Sequence, residues 1–197
     1  MNSDLQEKTN LKQIVILASG SGSNAEKIIT YFRVQKTAKV AAVFTNKSTA
    51  QVLDRCKRLK VPAYCFNRES FVGTDQLLNM IKSLEPDLIV LAGFLWKIPE
   101  SFIRAFPNQI VNIHPALLPK YGGKGMYGSK VHEAVKENEE TETGITIHYV
   151  NEHYDEGAVI FQAKTELTPE DTPNTIANKV HELEYEHFPK VIEKLLT

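Results

Sequence analysis

The chain has 197 residues, with 42% hydrophobic and 24% charged residues, values that are ordinary for one well-filled globular domain. The formal net charge of −1 argues against a surface that binds nucleic acid through bulk charge. The sequence contains no apolar run as long as a membrane span, and the polar first dozen residues do not resemble a signal peptide. We therefore expect a cytoplasmic protein with a flexible tail at residues 1–12 and a single domain at residues 13–197.

Hydrophobic periodicity predicts strands that alternate with helices through the first part of the chain. The predicted strands cover residues 13–17, 40–44, 63–66, 88–92 and 109–114, and predicted helices lie near residues 28–32 and at residues 51–59, 75–84 and 99–106. The strand at residues 88–92 is continuously apolar, as expected when helices cover both faces of a sheet. This alternation is typical of a parallel sheet in an α/β fold.

The pattern changes after the fifth predicted strand. A helix at residues 129–138 precedes two strands, at residues 143–150 and 158–164, which are separated only by a loop. A short loop favours antiparallel or irregular pairing, because a parallel pair needs a long crossover. The predicted fold is therefore α/β and Rossmann-like, with a mostly parallel central sheet, helices on both faces and partly antiparallel late strands.

The last predicted helix begins with Thr172 as its N-cap and Pro173 as its first residue. Its apolar periodicity predicts a buried stripe formed by Ile176, Val180, Leu183 and His187.

The two cysteines and the histidine spacing give no sign of a metal centre. Cys56 and Cys65 lack the paired spacing of zinc sites, and His181 and His187 are too far apart for the zinc-protease motif on one helix face. We therefore expect reduced thiols and no bound metal.

Two polar side chains stand at the end of the fifth predicted strand. Asn112 and His114 are two residues apart and so lie on one face of a strand, which Pro115 ends. An amide can donate to a carbonyl oxygen as charge develops, and an imidazole exchanges protons near neutral pH. The pair indicates acyl transfer, although either residue alone is more simply a turn cap or a structural histidine.

A glycine-rich turn follows the first predicted strand. Its residues, 20–25, fit the dinucleotide pattern G-x-G-x-x-A, but Thr45-Asn46-Lys47 stands where that site needs an acidic residue. The remaining interpretations are a phosphate site at a helix N-terminus and a tight strand-to-helix connection.

Four segments carry a resemblance to a known family. They are Leu17-Ala-Ser-Gly-Ser-Gly-Ser-Asn24, Leu91-Ala-Gly-Phe94, Asn112-Ile-His-Pro-Ala-Leu-Leu-Pro-Lys-Tyr-Gly122 and Tyr154-Asp-Glu-Gly-Ala-Val-Ile160. In this order they resemble the 10-formyltetrahydrofolate-dependent formyltransferases, and the glycine turn resembles that of the members acting on phosphoribosylglycinamide. The resemblance spans residue 14 to the last helix and implies the formyltransferase fold.

The resemblance implies transfer of the formyl group of 10-formyltetrahydrofolate to the amine of phosphoribosylglycinamide, a step of purine biosynthesis. Its implied catalytic residues are Asn112, His114 and Asp155, acting by direct attack without a covalent enzyme intermediate. Asn112 would stabilise the oxyanion, His114 would transfer the proton, and Asp155 would orient His114 and raise its pKa.

The resemblance also assigns residues that bind the two substrates. Those implied for phosphoribosylglycinamide are Gly22, Ser23, Asn24 and Glu184, with Glu184 accepting from the ribose hydroxyls. Those implied for the folate are Arg68, Leu95, Trp96, Lys97 and Ile98, together with Asn112. His148 is predicted only as a strand residue. The expected partners are these small molecules, with no nucleic acid and no membrane; the sequence does not set the oligomeric state, and a homodimer is compatible with it.

Three other functions share part of this pattern. A formyltetrahydrofolate hydrolase shares the Asn-His-Asp site but usually carries a further N-terminal domain. Enzymes that formylate a nucleotide sugar or initiator methionyl-tRNA generally carry a further C-terminal domain, and we expect neither extra domain in a chain of this length. A nucleotide-binding module without catalysis would have no need of Asn112, His114 and Asp155 together.

Overall fold

The computed structural model describes residues 11–197 and forms an α/β fold. In chain order the elements are β1 (Lys12–Leu17), α1 (Ser23–Gln35), β2 (Ala38–Thr45), α2 (Val52–Arg58), β3 (Ala63–Cys65), α3 (Gln76–Lys82), β4 (Leu88–Leu91), α4 (Glu100–Ala105), β5 (Ile110–His114), α5 (Ser129–Glu137), β6 (Glu142–Tyr149), β7 (Val159–Glu166) and α6 (Pro173–Leu196). Most of the predicted tail lies outside the described residues, but Lys12 already pairs with Ala38 in the sheet.

The seven strands form one sheet in the order β3-β2-β1-β4-β5-β6-β7. Strands β1 to β5 run parallel to one another. β6 is antiparallel to β5, and β7 is antiparallel to β6. The structure thus confirms the predicted fold class and the change of pattern after β5. The sequence pattern did not predict the π-helical turn Glu69–Gly73, which lies between β3 and α3.

Hydrophobic side chains cover both faces of the sheet. All four residues of β4 are buried, and they alternate between the two cores because side chains in a strand alternate in direction. Leu88 and Val90 pack in the core that includes residues of α1 and α6, whereas Ile89 and Leu91 pack in the core that includes residues of α3 and α4. Because packed side chains cover both faces of the sheet, ligands can reach it only at the ends of its strands.

Helix α6 begins as predicted but buries a different stripe. Thr172 caps it reciprocally with Thr175, and Pro173 is its first residue. The buried stripe runs through Ile176 and Val180 to Glu184 and Phe188, whereas Leu183 and His187 are only partly buried. This part of the prediction was wrong because positions three and four residues apart both continue a helical stripe, and apolarity favoured Leu183 over a carboxylate.

One buried hydroxyl ties together three loops at the carboxyl edge of the sheet. Ser19, after β1, donates to Asn46 Oδ1 at 2.7 Å and accepts from the backbone amide of Leu95 at 3.0 Å. Ser19 is 2% exposed, so both bonds are made away from water. The loops that follow β1, β2 and β4 are therefore held in one arrangement.

Replacing Ser19 with alanine should lower the free energy of unfolding by about 1–3 kcal/mol, because it leaves two polar groups without their partner. Urea unfolding measures this loss. The matched control is Ser83→Ala, which removes a single bond from an exposed hydroxyl to the Met80 carbonyl oxygen. An equal loss in the two variants would mean that Ser19 does not tie the loops.

Candidate active site

A cleft of about 610 Å³ opens at the carboxyl ends of β1, β4 and β5. Its lining includes residues 19–24 after β1, 92–95 after β4 and 112–115 at the end of β5. The sheet order places β1 between β2 and β4, so the connections that leave β1 and β4 run in opposite directions. Parallel sheets open a ligand crevice at such a reversal, and this volume is within the usual range of ligand pockets.

The structure brings the three predicted catalytic residues together in this cleft. His114 Nδ1 lies 3.6 Å from Asp155 Oδ2, and Asn112 Nδ2 lies 3.5 Å from Asp155 Oδ1. The side chains of His114 and Asp155 are 4% and 12% exposed. A carboxylate, an imidazole and an amide therefore meet at the end of β5, largely shielded from water.

A carbonyl oxygen fixes the hydrogen position on His114. Its Nε2 lies 2.7 Å from the backbone oxygen of Tyr121, and because a carbonyl oxygen can only accept, Nε2 must donate. Nδ1 is then the nitrogen without a hydrogen in the neutral ring, and it faces Asp155. Nδ1 is thus the atom that can take up and release a proton.

Asp155 raises the pKa of His114 as the resemblance implies, but the net direction of the pKa is downward. Burial lowers the pKa of His114 below the ordinary value, and the charge of Asp155 and the bond to Tyr121 offset this only in part. Asp155 acts in the predicted direction, but desolvation outweighs it. His114 is therefore neutral near pH 7 before any ligand adds charge to the cleft.

Asp155 is held ionised by its surroundings. Burial opposes ionisation, but the ring of His148, the charge of His114 and the amide of Gly123 together hold the pKa of the carboxyl below its usual value. The amide of Gly123 donates to Oδ2 at 2.9 Å. The neighbouring Gly157 is required, because a Cβ there would lie 1.7 Å from the backbone oxygen of Tyr149.

A fourth residue, His148, belongs to this group and was not predicted. It lies on β6 directly opposite Asn112, and its ring is 3% exposed. Its Nδ1 lies 2.8 Å from the Tyr149 carbonyl oxygen and so donates, which leaves Nε2 to accept from Asn112 Nδ2 at 3.1 Å. His148 Nε2 is also 3.6 Å from Asp155 Oδ1. The two histidines thus flank the carboxylate.

The glycine turn lies at the other end of the cleft and opens α1. Gly22 has φ +74°, and a Cβ there would collide with Val52, so the turn requires glycine. The free backbone amides of the first turn of α1 and the helix dipole favour an anion at this position. Ser23 and Asn24, the first residues of α1, also line the cleft.

Glu184 is a buried cleft residue rather than a solvated helix charge. It is 6% exposed and accepts from Asn24 Nδ2 at 2.9 Å. Burial raises the pKa of its carboxyl to about 7. Asn24 Oδ1 is buried and has no hydrogen-bond partner among the described residues. The pair therefore presents acceptor oxygens that suit a ligand bearing hydroxyl groups.

The raised pKa of Glu184 makes stability depend on pH. The carboxyl ionises near 4.5 in a solvated chain and near 7 in the folded protein, so the folded state retains a proton that the unfolded state releases. The stabilisation that protonated Glu184 gives the folded state is complete below about pH 4.5 and is lost as the pH rises through about 7. The free energy of unfolding changes by roughly 3 kcal/mol over this range. Glu184→Gln should remove this change. Urea unfolding of the unaltered protein and the variant at several pH values measures the difference. If the free energy of unfolding depended on pH in the same way in both proteins, the carboxyl of Glu184 would not be buried as described.

Two further histidines, neither of them among the predicted site residues, line the cleft. His132, on α5, is 5% exposed, and burial lowers its pKa to about 4. His181, on α6, also has its pKa lowered by burial, and its ring stacks on that of Tyr185. Both rings are therefore neutral near pH 7. The sequence signal for His181 is its spacing of three residues from Glu184, which places these two side chains on one face of the helix.

Of the residues implied for the folate, Leu95 and Asn112 line the cleft, whereas the cleft lining does not include Arg68, Trp96, Lys97 and Ile98. Trp96 packs against the aromatic side chains of Phe66 and Phe71. Arg68 and Lys97 lie over aromatic rings, Arg68 at 5.6 Å from the Trp96 ring centroid and Lys97 at 6.0 Å from that of Tyr154. Ile98 is buried in the core at 4% exposure. Their binding to folate stays a prediction.

None of the helices in the described part of the chain is long and apolar enough to cross a membrane. The described residues also contain no group of three or more His, Cys, Asp or Glu that could hold a metal ion.

The chain matches the formyl transferase family over residues 12–192. It is 37% identical over 188 residues to a phosphoribosylglycinamide formyltransferase of Haemophilus influenzae, covering 93% of this chain and 86% of that protein. It is 33% identical over 191 residues to the enzyme of the same name from Bacillus subtilis, covering 94% and 95%.

Solved structures give the same result. The structure of phosphoribosylglycinamide formyltransferase from Bacillus halodurans superposes with a TM-score of 0.85 at 32% identity, covering 94% of this chain and 96% of that one. The corresponding structure from Coxiella burnetii gives 0.84 at 36% identity, covering 93% and 86%. By its sequence and by its fold, this chain belongs to the formyl transferase family.

Proposed function

We propose that this protein transfers the formyl group of 10-formyltetrahydrofolate to the amine of phosphoribosylglycinamide, a step of purine biosynthesis. The observation that carries the proposal is the convergence of Asn112, His114 and Asp155 beside a cleft that also contains a helix N-terminus. The relatives named above act on the same acceptor according to their names.

In this proposal the acceptor amine attacks the formyl carbon directly. Asn112 Nδ2 donates to the oxygen as it becomes an oxyanion, which is worth about 3 kcal/mol for such a donor. Its 3.5 Å contact with Asp155 is the weaker of its two bonds and is the one that the oxyanion replaces. No covalent enzyme intermediate is needed, because the amine is itself the nucleophile.

His114 transfers a proton from the acceptor amine to the folate. Attack makes the amine nitrogen cationic, and Nδ1 of the neutral ring can accept the proton that it loses. The imidazolium then lies beside the ionised Asp155, which stabilises it, and it can protonate the folate nitrogen as the carbon–nitrogen bond breaks. The lowered pKa of His114 suits both steps, because a ring that is neutral at first can act as base and then as acid.

The acceptor is bound by residues at the far end of the cleft. The amides of the glycine turn, at Gly22 and Ser23, bind the phosphate at the start of α1. Asn24 Oδ1 and Glu184 accept from the ribose hydroxyls, which supplies the partner that Asn24 Oδ1 lacks. The folate lies towards Leu95 and its neighbours 96–98, with Arg68 near its anionic tail. This pocket supplies binding and orientation, and the folate itself supplies the formyl group.

The proposal is tested by following folate absorbance with purified protein and 10-formyltetrahydrofolate, with and without phosphoribosylglycinamide. Release of tetrahydrofolate only with the acceptor supports the transferase. Equal release without the acceptor would identify a hydrolase instead, and no release in either case would leave a binding module.

A further inference from the structure

A short strap of backbone contacts both His114 and Asp155. We define the strap as residues 119–123, which follow the loop after β5. The carbonyl oxygen of Tyr121 accepts from His114 Nε2 at 2.7 Å, and the amide of Gly123 donates to Asp155 Oδ2 at 2.9 Å. One run of backbone therefore sets the position of both residues, and any movement of the strap would separate or rotate them.

The strap adopts a backbone conformation that must be stabilised by contacts with other parts of the chain. Tyr121 has φ +58°, a left-handed value that a non-glycine residue adopts at a cost. Gly122 is tightly packed, since a Cβ there would lie 2.5 Å from Leu118 Cδ2 and 3.4 Å from Asp155 Cβ. The local chain alone does not favour this shape, so a tertiary contact must hold it.

Besides the bonds to His114 and Asp155, the side chain of Glu140 makes a contact of this kind. The phenol of Tyr121 donates to Glu140 Oε1 at 2.9 Å, and Lys120 Nζ lies 2.8 Å from the same oxygen and 3.1 Å from Oε2. The Glu140 side chain is 21% exposed, whereas that of Lys120 is 67% exposed. The phenol bond is therefore the better shielded of the two and is worth more than the exposed ion pair.

Glu140 lies close to the strands that carry the site. It lies between the end of α5 (Ser129–Glu137) and the start of β6 (Glu142–Tyr149). β6 pairs directly with β5, with Thr146 opposite His114 and His148 opposite Asn112. Glu140 thus ties the strap to the same pair of strands that carries three of the four polar site residues.

We propose that Glu140 is a positioning residue, which holds the Tyr121 carbonyl against His114 and so fixes the imidazole with Nε2 protonated and Nδ1 free towards Asp155. Glu140 itself is not among the residues that line the cleft. Its effect passes through the Tyr121 phenol and backbone. Without it the left-handed strap relaxes, the ring of His114 loses its acceptor, and the two neutral forms of the ring become mixed. This proposal depends on the formyl transfer proposed above for its kinetic test but not for its spectroscopic one.

The first test is a set of three variants assayed for kcat and KM. Glu140→Ala should lower kcat by about tenfold while KM stays within about twofold, because misorientation affects the reaction more than binding. Glu140→Gln keeps an oxygen that accepts from the phenol and should recover most of kcat. The matched control is Glu137→Ala, which removes the same charge from an exposed side chain at the end of α5. A kcat for Glu140→Ala that equals the control would overturn the proposal.

The second test does not depend on turnover. Nitrogen-15 spectra of labelled histidine report which ring nitrogen of His114 carries the hydrogen. The unaltered protein should show Nε2 protonated at neutral pH, and Glu140→Ala should show a mixture. If Glu140→Ala fails to fold, Tyr121→Phe removes only the phenol oxygen and should give the same change. An unchanged His114 signal in the folded variant would overturn the proposal, whereas an unaltered protein without transferase activity would refute only the proposed function.

Discussion

Asp155→Asn should reduce kcat by about 10³-fold, with substrate dissociation constants changed by no more than about threefold. The substitution preserves the shape of the side chain and an oxygen that can accept from Gly123, but it removes the negative charge 3.6 Å from His114 Nδ1. Burial already disfavours the imidazolium, and Asp155 is the first of the groups that oppose this effect. Without that charge the protonated ring loses its stabilisation at the step where it forms.

Rapid-quench kinetics combined with calorimetric binding would separate these two quantities. Asp54→Asn is a suitable control, since Asp54 is a carboxylate on α2 outside the described cleft lining. If both variants keep normal turnover, Asp155 does not support the proton transfer. If the dissociation constant rises as much as kcat falls, Asp155 binds substrate rather than stabilising the reaction.

His114→Ala should be at least as damaging, with kcat lowered by about 10³-fold or more, because it removes the atom that carries the proton. The side chain is 4% exposed and donates to Tyr121, so the substitution also leaves a cavity and an unpaired carbonyl oxygen. Thermal unfolding of the variant must therefore accompany the kinetics. A folded variant with normal turnover would assign the proton transfer to another group, and His148 is the nearest alternative.

The fold and the shared face of Asn112 and His114 could be predicted because both follow from local pattern. Alternating strands and helices gave the parallel sheet, and the spacing of two residues placed the amide and the imidazole on the same side of β5. Asp155 came from the family resemblance, and the structure places it beside both residues.

What the sequence could not supply depends on contacts between distant parts of the chain. The role of His148 follows from its antiparallel register opposite Asn112, and no local pattern encodes that register. The burial of Glu184 depends on the packing of α6 against α1, where Asn24 donates a hydrogen bond to the Glu184 carboxyl group. The charge of Asp155, which raises the pKa of His114, could be anticipated from the resemblance, but the depth of burial, which outweighs that charge, could not. The contact of Tyr121 with Glu140 is likewise non-local.

The most direct measurement follows the formyl carbon itself. With 10-formyltetrahydrofolate labelled with carbon-13 at the formyl group, magnetic resonance can show where the label goes when the protein and phosphoribosylglycinamide are both present. Direct attack by the amine predicts that the label appears in the new amide of the acceptor, in an amount equal to the tetrahydrofolate released. Label found as free formate, or left on the folate, would contradict it.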